Sequence, residues 1–201
     1  NRIAHNNSFK PQHITYFMAL KVGMQKSEIE RELQGKGTFV QIDWLTRYLK
    51  EPLTMDLKKF TFQKLADIYE RTNMTKESAR MYDGMANLSI TFAEKMKWHM
   101  KEVEMYVRCG DGNSGEEAMK KALAQANSVQ REQIYAQAVN LYKMQAEIYA
   151  SGMRRANAAA LYEKLLQMRL NDVDRRGVRQ KLLDLYEKLG KRKEFHLLEK
   201  R

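Results

Sequence analysis

The feature that most constrains this chain is a short pattern that occurs four times: a small or apolar residue, an acid, an aliphatic residue and then a tyrosine. The four copies are Ala66-Asp67-Ile68-Tyr69, Val103-Glu104-Met105-Tyr106, Ala146-Glu147-Ile148-Tyr149 and Leu183-Asp184-Leu185-Tyr186. Their tyrosines lie 37, 43 and 37 residues apart. A fixed period of this length is typical of stacked helical repeats, which usually act by presenting a surface to a partner.

Proline usage predicts that the fold is all-α. The chain of 201 residues contains only two prolines, Pro11 and Pro52, and the long remainder is rich in residues that favour helices. Because proline removes a backbone donor and clashes with the preceding turn, its absence from such a run favours helix throughout. We expect about four antiparallel helix hairpins, stacked as an α-solenoid over residues 54–201. Residues 1–53 are predicted to form a tail and a helical cap.

Local signals predict the helices and turns in more detail. A first helix is expected over 12–25, and a second begins after Ser27, which with Glu30 would form a capping box. Thr75 is predicted to cap a later helix. The segment 109–115 holds three glycines, so it is predicted to be the most mobile loop. Helical spacing places Phe39 and Ile90 among the buried apolar residues.

The hairpins resemble tetratricopeptide-type helical repeats. In that family a small residue precedes the tyrosine of the first helix by three positions, and another lies where the second helix crosses it closely. Ala66, Tyr69 and Ala79 fit this scheme, as do Ala146, Tyr149 and Ala159, over about residues 55–200. The chain departs from the family in its spacing, since the family period is about 34 residues, and in lacking the usual proline at the end of each repeat.

The resemblance implies a concave face lined by the first helix of each hairpin. The acid two residues before each tyrosine would point into it, which predicts a ladder made of Asp67, Glu104, Glu147 and Asp184. One turn earlier on the same face we expect Gln63, Met100, Lys143 and Gln180. Such a ladder would bind a basic or amine-bearing protein segment. The alternative is that each acid pairs with a basic residue of a neighbouring helix and is only structural.

Charge gives a second hypothesis. The net charge is +11, and much of the excess lies toward the C-terminus, so nucleic acid or an acidic partner could contact a basic cluster there. Its proposed contact residues are Arg154, Arg155, Arg175, Arg176, Arg179, Lys191, Arg192 and Lys193. A helix-turn-helix over 26–50 is another hypothesis. In that hypothesis the residues facing DNA would be Gln41, Thr46, Arg47 and Lys50.

The sequence contains no residue pattern typical of a catalytic site. The four histidines are scattered without metal-ligand spacing, and no phosphate-binding loop or dinucleotide motif occurs. His99 and Glu102 are predicted to be packing or surface neighbours on one helix. The single cysteine, Cys109, favours a reducing compartment, and no apolar stretch is long enough to span a bilayer. We therefore expect a cytoplasmic, non-enzymatic protein with no cofactor, no metal and a protein partner.

Overall fold

A computed structural model describes residues 20–200, and this part of the chain contains ten α-helices and no strand. The helices are α1 (Lys26–Leu33), α2 (Thr38–Tyr48), α3 (Met55–Arg71), α4 (Thr75–Asn87), α5 (Phe92–Arg108), α6 (Gly112–Ala124), α7 (Ser128–Ser151), α8 (Arg155–Gln167), α9 (Asp172–Lys188) and α10 (Arg192–Glu199). The all-α prediction is therefore confirmed for the described residues.

Side-chain caps fix several of the helix starts. Thr54 accepts a hydrogen bond from the backbone N–H of Leu57 at 3.4 Å, and Asn127 accepts one from Gln130 at 2.9 Å. The Gln130 side chain in turn accepts from the backbone N–H of Asn127, which completes a capping box. These contacts satisfy amide groups that have no partner inside the helix.

The four turns that follow the repeat tyrosines share one geometry. In each turn the residue four positions after the tyrosine has a positive φ: Asn73 (59°), Gly110 (85°), Met153 (61°) and Gly190 (69°). The next backbone N–H then donates to the tyrosine carbonyl, at 2.8, 2.9, 2.8 and 2.9 Å respectively. This is the hydrogen-bond arrangement of helix ends that close with a left-handed residue. The tyrosine pattern of the sequence thus coincides with a recurring turn geometry.

Helices pack mainly against their neighbours in sequence. From α2 onward each helix contacts the one that follows it, and α5 also contacts α7 while α6 contacts α8. The buried apolar residues form three clusters arranged along the chain. One joins Leu20, α1 and α2 to α3, a second joins α3 and α4 to α5, and the third runs from α5 to α9.

Three local predictions differ from the structure. Of the helix expected over 12–25, residues 12–19 lie outside the described part, and residues 20–25 are not helical. Helix α1 is capped by Gln25 with Glu28 instead of Ser27 with Glu30. Thr75 does not cap α4: it is buried as the first residue of that helix, and its N-cap is Met74.

Two apolar residues that were expected to be buried are exposed. Phe39 is 78% exposed because it lies in the first turn of α2, and Ile90 is 81% exposed because α4 ends before it. The prediction that both residues are buried extended the apolar stripe of each helix beyond the residues that neighbouring helices cover.

The predicted mobile loop at 109–115 is mostly helix. Asp111 accepts a hydrogen bond from the backbone N–H of Ser114 at 3.0 Å and starts α6 at Gly112. Gly115 lies inside that helix, where a Cβ would be 2.6 Å from the Tyr142 hydroxyl oxygen. The glycine therefore allows α7 to approach α6 closely, which explains its presence better than loop flexibility does.

Candidate functional site

The main candidate is a cleft between α5 and α7, the first helices of the second and third tyrosine-containing hairpins. Its volume is 590 Å³, within the range of clefts that bind ligands or partner side chains. The apolar side chains that line it are Met96, Met100, Ile134, Leu141 and Met144. The polar ones are Lys97, Lys101, Glu104, Gln130, Gln133, Gln137 and Asn140.

Helix periodicity explains why these side chains meet. On α5, Met96, Met100 and Glu104 are four residues apart and lie on one face. Glu102, which is buried, lies on the opposite face of α5. The cleft residues of α7 recur at three- and four-residue intervals from Gln130 to Met144, so they also share a face.

The two walls of the α5–α7 cleft differ in charge. The α7 wall has amides and apolar groups but no charged residue. On the α5 wall, Glu104 accepts a hydrogen bond from the Lys101 ammonium at 2.9 Å and lies 4.0 Å from the Arg108 guanidinium. Lys97 has no carboxylate within 4 Å among residues 20–200, and its ammonium lies 4.4 Å from the centre of the Trp98 ring. The only charge of this cleft left without an opposite charge in that range is therefore positive.

The four acids of the predicted ladder do not line one common cleft. Glu104 lines the α5–α7 cleft, whereas Asp67 lines a separate, more polar one of 710 Å³ between α1 and α3. The Asp67 carboxylate accepts from Gln63 at 2.7 Å, and Asp184 accepts from Gln180 at 3.0 Å. These two acids thus share a local arrangement, with an amide one turn earlier on the same helix.

The other ladder residues form contacts between helices. Glu147 pairs with Lys181 of α9 at 2.5 Å. Such a pair agrees with the alternative interpretation, in which the acids of the ladder bind basic residues of neighbouring helices and are only structural. Lys143 pairs with Asp174 at 2.7 Å, and this hydrogen bond holds the pKa of Asp174 below its usual value. The structure brings only Met100 and Glu104 of the eight predicted concave-face residues into the α5–α7 cleft.

A charged cluster lies outside the cleft, around the buried His99 and Glu102 of α5. His99 Nδ1 is 2.9 Å from a Glu102 oxygen, and Glu102 is 2% exposed. The Lys121 ammonium bridges Asp83 at 2.7 Å and Glu102 at 3.0 Å. Burial alone would lower the pKa of Lys121, but these two hydrogen bonds raise it above its ordinary value.

Donor atoms of Asp83, His99 and Glu102 lie within 4.8 Å of one another, close enough to share a metal ion. The Lys121 ammonium already contacts the Asp83 and Glu102 carboxylates, which would be two of the three ligands of such an ion. We therefore interpret the cluster as an internal ion-pair network that joins α4, α5 and α6. The sequence predicted the His99–Glu102 neighbours but not Asp83 or Lys121, because those two come from other helices.

Several residues of the C-terminal basic cluster have structural contacts. Arg175 donates to the carbonyls of Leu166 and Met168 at the end of α8, at 3.2 and 3.4 Å. Arg179 donates to the Leu198 and Glu199 carbonyls at the end of α10. Both arginines satisfy carbonyl groups at helix C-termini.

The remaining members of the cluster differ in exposure. Lys191 is half-buried and lies 3.7 Å from the Glu163 carboxylate. The Arg154 guanidinium lies 5.9 Å from the centre of the Tyr149 ring, and Arg155 is half-buried. The side chains of Arg176, Arg192 and Lys193 are exposed.

The residues of the helix-turn-helix hypothesis are partly engaged within the fold. Gln41 donates from its side chain to the carbonyls of Leu33 and Lys36, at 3.1 and 2.8 Å, and so closes the end of α1. Arg47 pairs with Asp43 at 2.9 Å. Thr46 and Lys50 are exposed on α2 or just after it.

Of the residues that line the α5–α7 cleft, the sequence analysis named only Met100 and Glu104. The α7 amides gave a usable signal: Gln130, Gln133, Gln137 and Asn140 recur at helical spacing on one face. A face of uncharged amides beside Leu141 and Met144 is neither a typical core stripe nor a typical solvated face.

Comparisons with known proteins add little. No protein-family model matches the chain, and no curated protein matches it either. One solved structure is similar, the crystal structure of BtubC (BKLC) from P. vanneervenii, with 17% sequence identity over 86% of this chain and 76% of that one, at a TM-score of 0.36. Similarity at this level does not establish a shared fold. None of the described helices combines the length and apolar character needed to cross a membrane.

Proposed function

We propose that this chain is a non-enzymatic interaction scaffold that binds a segment of a partner protein in the α5–α7 cleft. In this proposal, residues 54–201 form a tetratricopeptide-like solenoid of helix hairpins, residues 1–53 cap its N-terminal end, and the protein is cytoplasmic. The cleft is the single observation that carries the proposal, because it joins apolar anchoring surface to hydrogen-bonding amides.

The repeated turn geometry supports the solenoid. All four hairpins close with a left-handed residue and the same backbone hydrogen bond. Stacked units of this kind contact mainly their neighbours, and the extensive helix contacts follow that order. The first helices of successive hairpins would then line one face, which is where the α5–α7 cleft lies.

The apolar composition of the cleft supports a protein ligand. Met96, Met100 and Met144 contribute flexible thioether side chains, and such surfaces adapt to the side chains of a bound peptide. Met144 is 61% exposed, so its side chain is accessible to a ligand in the cleft. A bound segment would cover it.

A retention experiment tests this proposal. The tagged protein is compared with Met100→Glu, which puts a charge into the cleft, and with Met55→Glu, which makes the same exchange at an exposed methionine of α3. We expect a stoichiometric protein to be retained by the wild type and by Met55→Glu but not by Met100→Glu. Retention that is equal for all three proteins, or the absence of any retained protein, would contradict the proposal. Circular dichroism checks that both variants remain helical.

A second candidate function is contact with RNA or DNA, favoured by the exposed Arg176, Arg192 and Lys193. Basic surfaces bind nucleic acid through release of counterions, so affinity falls steeply with salt. Binding of a random-sequence oligonucleotide to the wild type and to a variant with these three residues changed to glutamine tests it. Equal binding by both proteins, or no binding at low salt, excludes this surface.

A further inference from the structure

The charges around the α5–α7 cleft identify the chemistry of its partner, and this inference rests on the proposed function. We infer that the cleft binds an acidic amphipathic segment, whose apolar side chains enter between α5 and α7 and whose carboxylates face the α5 wall. This is opposite in sign to the basic segment that the acidic ladder predicts from the sequence.

The first step is the state of Glu104, the one acid in the cleft. Its carboxylate already accepts a hydrogen bond from Lys101 at 2.9 Å, and the Arg108 guanidinium is 4.0 Å away. A basic partner would have to compete with both of these cations for one carboxylate. Glu104 is therefore a poor anchor for a lysine or arginine of the partner.

The second step is the state of Lys97. It lies on the same wall, one turn from Lys101, and is exposed. No carboxylate of residues 20–200 is within 4 Å of its ammonium, and its nearest described aromatic contact is the Trp98 ring. A carboxylate of a bound segment would supply the missing opposite charge at the edge of the cleft.

The third step is the α7 wall, which repels neither sign of charge. Gln133, Gln137 and Asn140 present amide groups that both donate and accept hydrogen bonds. They can bind polar side chains or free backbone groups of the segment. The charged residues of α5 therefore determine whether the cleft prefers an acidic or a basic partner.

The fourth step is the size of the cleft. A volume of 590 Å³ holds a few apolar side chains, whereas a whole helix is about 10 Å across. The segment would therefore lie over the opening and insert one face. Apolar residues at three- and four-residue spacing on a helix match a cleft that runs between two helices.

Two synthetic peptides test this inference. Each is an amphipathic helix of about 18 residues, or five turns, with the same leucine face. One carries glutamate on the flanking positions and the other carries lysine. Fluorescence anisotropy at low salt measures their binding to the wild type, to Lys97→Glu, and to Lys200→Glu as a matched charge reversal outside the cleft.

We expect the glutamate peptide to bind the wild type about five- to tenfold more tightly than the lysine peptide, since each exposed ion pair contributes a few-fold. Lys97→Glu should remove this preference, while Lys200→Glu should keep it. Equal binding of the two peptides, or tighter binding of the lysine peptide, would overturn the acidic assignment. Such a result would leave the proposed binding cleft standing if Met100→Glu still abolished the interaction.

Other outcomes separate the inference from the function it rests on. Failure of both peptides to bind would contradict both the acidic partner and the cleft as a peptide site. A second copy of this chain is another occupant that could cover the cleft. In that case the free protein would sediment as a dimer and Met100→Glu would make it a monomer, which would overturn the inference of a separate acidic segment.

Discussion

Tyrosine hydroxyls provide the clearest contrast between single residues. Tyr142 is fully buried and donates to the carbonyl of Gly112 at 2.6 Å, and Tyr149 donates to the carbonyl of Arg108 at 2.6 Å. Tyr48 is also fully buried, but its hydroxyl has no hydrogen-bond partner in the described part of the chain. A buried polar group without a partner costs stability, whereas a bonded one contributes to it.

Replacing each of these hydroxyls tests that contrast. We expect Tyr142→Phe to lower the free energy of unfolding by about 1 kcal/mol, because it removes a bond between α7 and α6. Tyr48→Phe should leave stability unchanged or raise it, since it removes a group that is not bonded. Urea unfolding followed by circular dichroism measures both. A larger loss for Tyr48→Phe than for Tyr142→Phe would contradict this account.

The buried carboxylate of Glu102 gives a second residue-scale prediction. Glu102→Ala leaves the buried His99 without its partner, whereas the partly exposed Lys121 keeps Asp83, so we expect a loss of about 1–3 kcal/mol. Glu117→Ala removes an exposed carboxylate that pairs with Lys120, and it should cost less than about 1 kcal/mol. The same unfolding measurement applies. If the two variants lose similar amounts of unfolding free energy, the Asp83–His99–Glu102–Lys121 network does not stabilise the packing of α4, α5 and α6.

The turns that follow the four repeat tyrosines share one backbone geometry. Three of the four observed left-handed turn positions hold residues that favour this conformation, Asn73, Gly110 and Gly190, but the fourth holds Met153. A side chain with a Cβ in the left-handed region costs about 1–2 kcal/mol. The Met153 turn is therefore the one built from an unfavourable residue.

Exchanges at two of these turns should change stability in opposite directions. We expect Met153→Gly to raise the free energy of unfolding by about 0.5–1 kcal/mol, because glycine removes the steric cost. Gly190→Ala should lower it by about 1 kcal/mol, although no atom lies within 4 Å of the added Cβ. Thermal unfolding of the two variants is the measurement. A Met153→Gly protein that is less stable than the wild type would contradict the shared turn geometry.

At the scale of elements, the repeated pattern predicts that its four tyrosines lie on helices, and they lie on α3, α5, α7 and α9. Apolar spacing is local information, so it locates a helix such as α9 and its buried Tyr186 well. Contacts between distant helices are not local, so the role of Gly115 beneath Tyr142 and the pairing of Lys121 with Glu102 could not be read from the sequence. The same reason explains why only Met100 and Glu104 of the α5–α7 cleft were anticipated.

For the whole molecule, an open stack predicts an elongated particle. A compact globular chain of 201 residues has a radius of gyration of about 16–17 Å. Because the extensive contacts join each hairpin to the next, we expect small-angle X-ray scattering to give a value several ångströms larger. A value near that of a compact chain would indicate a closed bundle. The proposed face of aligned first helices would then be wrong.

The central proposal is that the α5–α7 cleft binds an acidic amphipathic segment. The methyl resonances of the thirteen methionines report on this claim directly when the glutamate peptide is added. We predict that the signals of Met96, Met100 and Met144 shift together with increasing peptide, while those of Met55 and Met153, exposed elsewhere, stay in place. If the three cleft signals do not move, or if those of Met55 and Met153 move instead, the binding site is not this cleft.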